Sequence, residues 1–167
     1  MLKKILLLLA LSQSAAHANC AIPEPIKAPP GHQPFLSVHA KGEQIYQCTL
    51  NQGKYAWEAK APDAALFDKH GQVVGKHYAG PIWEYKAGSH VVGRVLKKLD
   101  VNPETSIAWL LVEIVAHKGK DIFAETRFIN RINTHGGLPP VSGCDGNHLG
   151  GEKRVPYTAD YVFFNGP

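Results

Sequence analysis

The residues best suited to chemistry cluster between Gly75 and Glu84, where His77, Tyr78, Trp83 and Glu84 stand around a Gly80-Pro81 pair. The glycines and the proline force the backbone to turn, so His77 and Glu84 are expected on neighbouring strands. A histidine beside a carboxylate can act as a general base, a proton shuttle or part of a metal site. The same pair can do no more than fasten a turn through a His–Glu hydrogen bond, with Trp83 as core packing, because buried polar groups need partners for stability alone. Turn fastening is the expectation. His77, Tyr78, Trp83 and Glu84 form the candidate ligand-binding set. No catalytic residue is assigned, and His77 and Glu84 are the candidates should one exist.

Metal chemistry has raw material but poor spacing. Beyond position 18, histidines stand at 32, 39, 70, 77, 90, 117, 135 and 148, with no His-x-His, His-Glu-x-x-His or Cys-x-x-Cys among them. His135, Asp145 and His148, on a glycine-rich segment, are the best local group for a metal, and no cofactor is expected. Nucleophilic catalysis has less support. Ser89 and His90 are adjacent, which on a strand sends their side chains to opposite faces. There is no Gly-x-Ser-x-Gly elbow, and Cys144 near His135 or His148 serves only if its thiol is free.

These residues must be positioned by a modest amount of chain. The sequence has 167 residues, and Met1–Ala18 reads as an export signal: Lys3-Lys4, the apolar run Ile5–Leu11, then Ala16-His17-Ala18 as the cleavage site. Removing it leaves 149 residues, enough for one domain. It also takes the formal charge from +4 to +2, no footprint for nucleic acid. Lys97-Lys98, Lys118-Gly119-Lys120 and Lys153-Arg154 are dispersed among acids and do not form a polyanion groove. No segment reaches the roughly 20 apolar residues of a membrane span. The expected compartment is therefore periplasmic or extracellular. Cys20 follows the cleavage site, but His17 and Asn19 do not fit a lipoprotein pattern.

An oxidising compartment makes cysteines bridge partners first, and there are three, Cys20, Cys48 and Cys144. Cys48 sits in an expected strand and Cys144 in a glycine-rich turn, while Cys20 precedes a proline-rich arm (19–34) expected to be extended and mobile. Cys48 with Cys144 is the economical pairing. Cys20 is then the spare thiol, free or bridging to a second molecule.

After the arm, a single β domain is expected over 35–167. Phe35–His39, Gln44–Leu50, Tyr55–Glu58, Val73-Val74, Ile82–Tyr85, Val91–Leu96, Ile107–Ala116, Ile122–Asn133 and Val155–Phe164 read as strands. Lys41-Gly42, Asn51-Gln52-Gly53, His70-Gly71 and Ala87-Gly88 read as breaks. Ile107–Ala116 is apolar enough for a buried helix, but its Val/Ile content favours a strand. Many short strands without a long helical stripe predict an all-β fold, an antiparallel sandwich or barrel.

An ordered set of motifs runs through this domain. It comprises Gly42–Cys48, Ala64–Asp68, Gly75–Glu84, Ala108–Leu111, Thr134–Gly137 with Pro140 and Cys144, and Pro156–Tyr161. The set resembles an exported bacterial and fungal family filed as domain of unknown function 3455, over roughly Phe35 to Phe164. Lys86 and His135 depart from that family's pattern. The resemblance implies the exported compartment and the Cys48–Cys144 bridge, and it implies no established activity. Some relatives carry a malate dehydrogenase label. The sequence gives it no support, since Gly136-Gly137 and Gly150-Gly151 lie in loops without the strand–turn–helix frame of a dinucleotide site. The functional expectation is a non-enzymatic binding or envelope-associated module that takes a small ligand or an envelope component. The alternative is a metal-dependent or acid–base enzyme centred on His77 and Glu84.

Overall fold

The computed structural model describes residues 21–167. The expected leader Met1–Ala18 and Cys20, with its spare thiol, lie outside the described residues. Eight strands follow one another in the described chain: β1 (Gln33–Asn51), β2 (Lys54–Phe67), β3 (Val73–Tyr78), β4 (Ile82–Tyr85), β5 (His90–Leu99), β6 (Trp109–Lys118), β7 (Phe128–Gly136) and β8 (Glu152–Asn165). Each pairs antiparallel with the next, and β8 returns to pair with β1, so the sheet closes into a barrel. The fold is all-β, and closure of the ring decides between the two architectures the sequence left open.

Side-chain alternation builds the inside. Val38 and Ala40 on β1, Ala64 and Leu66 on β2, and Tyr157, Ala159, Tyr161 and Phe163 on β8 all point into one buried cluster. Their spacing of two is the strand period. Trp83, Val91, Val112, Phe123 and Ile129 complete it. An eight-stranded barrel is just wide enough for side chains of this size to fill.

Two expectations about the strands need correction. Lys41-Gly42 does not break the chain; it lies in the middle of β1, which pairs with β8 through Gln47 and with β2 from His39 to Asn51. The glycine is there for close approach: a Cβ on Gly42 would stand 2.2 Å from the Asp63 carbonyl oxygen and 2.4 Å from Ala64 Cα. A missing side chain and a turn leave the same mark in a sequence. The expected strand Ile122–Asn133 begins only at Phe128, and the residues before it form a turn that drops Phe123 into the core. The expected strand Ile107–Ala116 forms from Trp109 onward and runs to Lys118, as β6. The Gln52-Gly53 turn closes the β1–β2 hairpin with both residues at positive φ, matching the tight hairpin connection.

The arm is pinned where mobility was expected. Ile26, in a short 3-10 turn (Glu24–Ile26), is fully buried against Trp109, Leu111 and Ile132 on the outer face of the barrel. Asn130 Nδ2 donates to the Ile26 carbonyl at 2.7 Å and to the Leu110 carbonyl at 3.0 Å. This explains why β6 is apolar on both faces: one fills the barrel and the other is covered by the arm.

Candidate functional site

Cross-strand register separates the residues that looked like one centre. His77 pairs with Trp83, and both face into the barrel, whereas Lys76 pairs with Glu84 outside. His77 and Glu84 therefore occupy opposite sides of the wall. His77 is 3% exposed and lies flat on Trp83, ring centroids 4.1 Å apart, with its Nδ1 2.8 Å from the Ile82 carbonyl. Burial drives its pKa down to about 3; the Ile82 carbonyl opposes that shift and the Arg131 charge adds to it. The imidazole is thus neutral, and Nδ1 carries the proton given to Ile82. It fastens the β3–β4 turn through a backbone carbonyl, not through the expected hydrogen bond to Glu84. Outside, the Tyr78 hydroxyl donates to Glu84 Oε2 at 2.7 Å and Lys76 Nζ stands 3.3 Å from Oε1. The Tyr78 bond first, then Lys76, holds the Glu84 carboxyl below its usual range. An acid–base pair from His77 and Glu84 is not available in this geometry.

The metal candidates are also divided. Asp145 Oδ1 is 2.8 Å from His148 Nδ1 and accepts from the Asn147 amide, while His135 sits on β7 opposite Thr158. No group of three or more His, Cys, Asp or Glu side chains able to hold a metal occurs among the described residues. Cys144 is bonded to Cys48, 5.3 Å between Cα atoms, so it offers no thiolate. The bridge pins the glycine-rich β7–β8 connection to the β1–β2 hairpin. The amide of Gly150 donates to the Cys48 carbonyl and that of Cys48 to the Gly151 carbonyl, each at 2.9 Å. Trp57 Nε1 adds a bond to the Ser142 carbonyl at 2.9 Å.

Polar chemistry and accessible space meet elsewhere. A groove of about 870 Å³ runs between the arm and the outer wall, in the size range of a small-ligand site. Its floor is the outer face of β7, β8 and β1; Ile22, Lys27 and His32 of the arm form one side, and the β2–β3 turn at Asp68 and Lys69 forms the far end. Ile132, Val162 and Phe67 make the lining partly apolar. His39 and Asp160, direct partners across β1 and β8, are hydrogen-bonded at 2.8 Å between Nδ1 and Oδ1. Asn133 Nδ2 donates to the other carboxylate oxygen, also at 2.8 Å, from a backbone held at φ 50. A non-glycine residue at positive φ is uncommon and marks a position that its surroundings hold in place.

The family model described as Protein of unknown function (DUF3455) matches residues 29–165. The chain belongs to that family. No curated protein and no solved structure matches it. The matched region takes in all of β1 to β8 and, from residue 29, the end of the arm, so the DUF3455 domain is the barrel. Among the described residues, no helix is long and apolar enough to cross a membrane.

Sequence reasoning missed the His39–Asp160 pair of this DUF3455 barrel. The two residues are 121 positions apart, and only the closing pair of strands, first against last, joins them. The available signal was parity. His39 and Asp160 each occupy the outward phase of a strand whose inward positions are apolar.

Proposed function

We propose that this chain is an exported, non-enzymatic binding module that takes a small ligand in the groove beneath its arm. The observation that carries the reading is the His39–Asp160–Asn133 network. It gives a partly apolar groove a fixed set of polar contacts, the composition expected of a ligand site. The Cys48–Cys144 bridge supports export, since disulfides persist in oxidising compartments. An amphipathic ligand fits the lining: an apolar body against Ile132 and Val162, and a polar end at His39 and Asp160.

A thermal-shift panel of small amphipathic molecules tests this. A ligand should raise the melting temperature of the wild type and lose its effect in Asp160→Ala and Val162→Asp. A ligand that stabilises all three proteins equally would place the site elsewhere.

One observation favours a second reading. With Nδ1 held by Asp160, His39 keeps Nε2 for a proton on a bound molecule or water, the orientation a general base needs. Under that reading His39→Gln keeps binding and loses turnover; under the binding reading no turnover exists to lose.

A further inference from the structure

We propose that the inside of the barrel holds a small oxyanion, a carboxylate or an inorganic phosphate, bound by Arg131 together with the hydroxyls of Tyr157 and Tyr161. The site lies on the opposite side of the wall from the groove and is independent of it.

Arg131 is the odd member of its class. Arg94 reaches Glu113 at 2.6 Å, Arg154 reaches Glu43 and Asp63 at 3.0 Å each, and Arg127 lies 4.0 Å from Glu125. Arg131 makes no ion pair among the described residues. It stands between Leu110 on β6 and Tyr161 on β8, both of which belong to the interior, so its side chain shares their face. Nε donates to the Ala108 carbonyl at 3.0 Å. Its positive charge opposes the rise that burial imposes on the Tyr46, Tyr157 and Tyr161 hydroxyls, in keeping with a side chain on their face of the sheet.

The groups around this cation are unfinished. The Nε2 of Gln44 and the hydroxyls of Tyr157 and Tyr161 are buried without a partner in hydrogen-bond geometry, although the two hydroxyls and Arg131 lie near enough to influence one another's titration. A buried polar atom left unpaired is costly to the fold. What they lack is the same thing. A guanidinium and an amide NH₂ are donors only, and a tyrosine hydroxyl can donate. A group with several acceptor oxygens and a negative charge satisfies all of them, whereas a metal cation would be repelled by the guanidinium and could take only the hydroxyl oxygens. A planar guanidinium is also the side chain best matched to a carboxylate or phosphate.

The surroundings limit the size. Gly137, at φ 79, sits over Tyr157 and Gln44 so closely that a Cβ would meet Tyr157 Cβ at 2.9 Å and Gln44 Cγ at 3.3 Å. Its carbonyl accepts from the Tyr46 hydroxyl at 2.5 Å, which holds the connection in place. Trp83, Phe123 and Phe163 fill the barrel beyond. The proposed occupant is accordingly small. Arg131 alone of this group is half-exposed, which gives the ion its way in.

Isothermal titration of the intact, disulfide-bonded protein with acetate and with inorganic phosphate, in low-chloride buffer, tests the proposal. At least one ion should bind saturably at one site. Arg131→Gln should weaken that binding by about tenfold or more and Tyr161→Phe by about threefold or more, as loss of a charge-assisted and of a single hydrogen bond would do. Arg154→Gln, on the surface, should bind as the wild type does. If Arg131→Gln does not fold, Arg131→Lys with Tyr161→Phe replaces it. Absence of saturable binding by both ions overturns the proposal. So does binding that both interior variants leave unchanged.

Discussion

On its inner side, the β3–β4 hairpin presents His77 stacked on Trp83, shut from water and held neutral; on its outer side, Tyr78, Lys76 and Glu84 join in polar contacts at the surface. One strand's thickness separates a histidine whose pKa burial has forced down to about 3 from a carboxylate that a tyrosine and a lysine keep ionised. The contrast shows how this hairpin handles polar residues: the one inside is held by a backbone carbonyl, while those outside pair with other side chains across the strands. The outer groove is where cross-strand pairing and concave space coincide, and His39–Asp160 stands there.

The largest effect should come from the bridge that ties the β7–β8 connection to the hairpin. Cys48→Ala with Cys144→Ala opens a loop spanning 96 positions and should cost on the order of 4 kcal/mol in denaturant unfolding. A cost below about 1 kcal/mol would mean that the backbone bonds at Cys48, Gly150 and Gly151 hold the connection unaided.

His77→Ala removes a buried ring and its bond to Ile82, and should cost about 3 kcal/mol. The histidine also sets a pH dependence. Its folded pKa, about 3, lies below the ordinary 6.5, so the unfolded chain binds the extra proton first. Stability from this group is complete above pH 6.5 and declines as pH falls from 6.5 toward 3. The pH profile of His77→Phe should be flatter across that window, and an identical slope in both proteins would remove His77 as its source.

Ile26→Ala should cost about 2 kcal/mol, near the low end for a buried aliphatic side chain, and should speed amide exchange along the arm ahead of the barrel. If the arm and barrel exchange together, the arm is part of the cooperative core and not a separable wall of the groove.

The smallest effect should be at Glu84. Glu84→Gln loses a surface pairing worth under about 1 kcal/mol. In a double-mutant cycle with His77→Ala the two losses should add, because the residues share no contact. A coupling above about 0.5 kcal/mol would break the inside–outside division.

Much of the fold was legible because alternation is local. Val38, Ala40, Tyr157, Ala159 and Tyr161 announce an inward face without reference to any partner strand, and Gln52-Gly53 announces its hairpin. Cys48 and Cys144 could be paired because a spare cysteine on the arm left few options. Gly42 misled, since close approach and chain reversal both call for glycine. The site was read least well, for a physical reason. His77 and Glu84 are close in sequence and on adjacent strands, but the parity that places them on opposite faces depends on the residues actually spent in the turn. His39 and Asp160 meet only because β8 closes on β1, a pairing that no local pattern contains.

The central claim, that the groove beneath the arm is the ligand site, is tested most directly by a crystal structure of protein isolated without denaturation from its native source. The account predicts a small molecule in the groove, its polar end within hydrogen-bond distance of His39 or Asp160 and its body against Ile132 and Val162. A bound molecule seated instead on the exposed Val141 and Leu149 of the β7–β8 connection, with the groove holding only water, would contradict it.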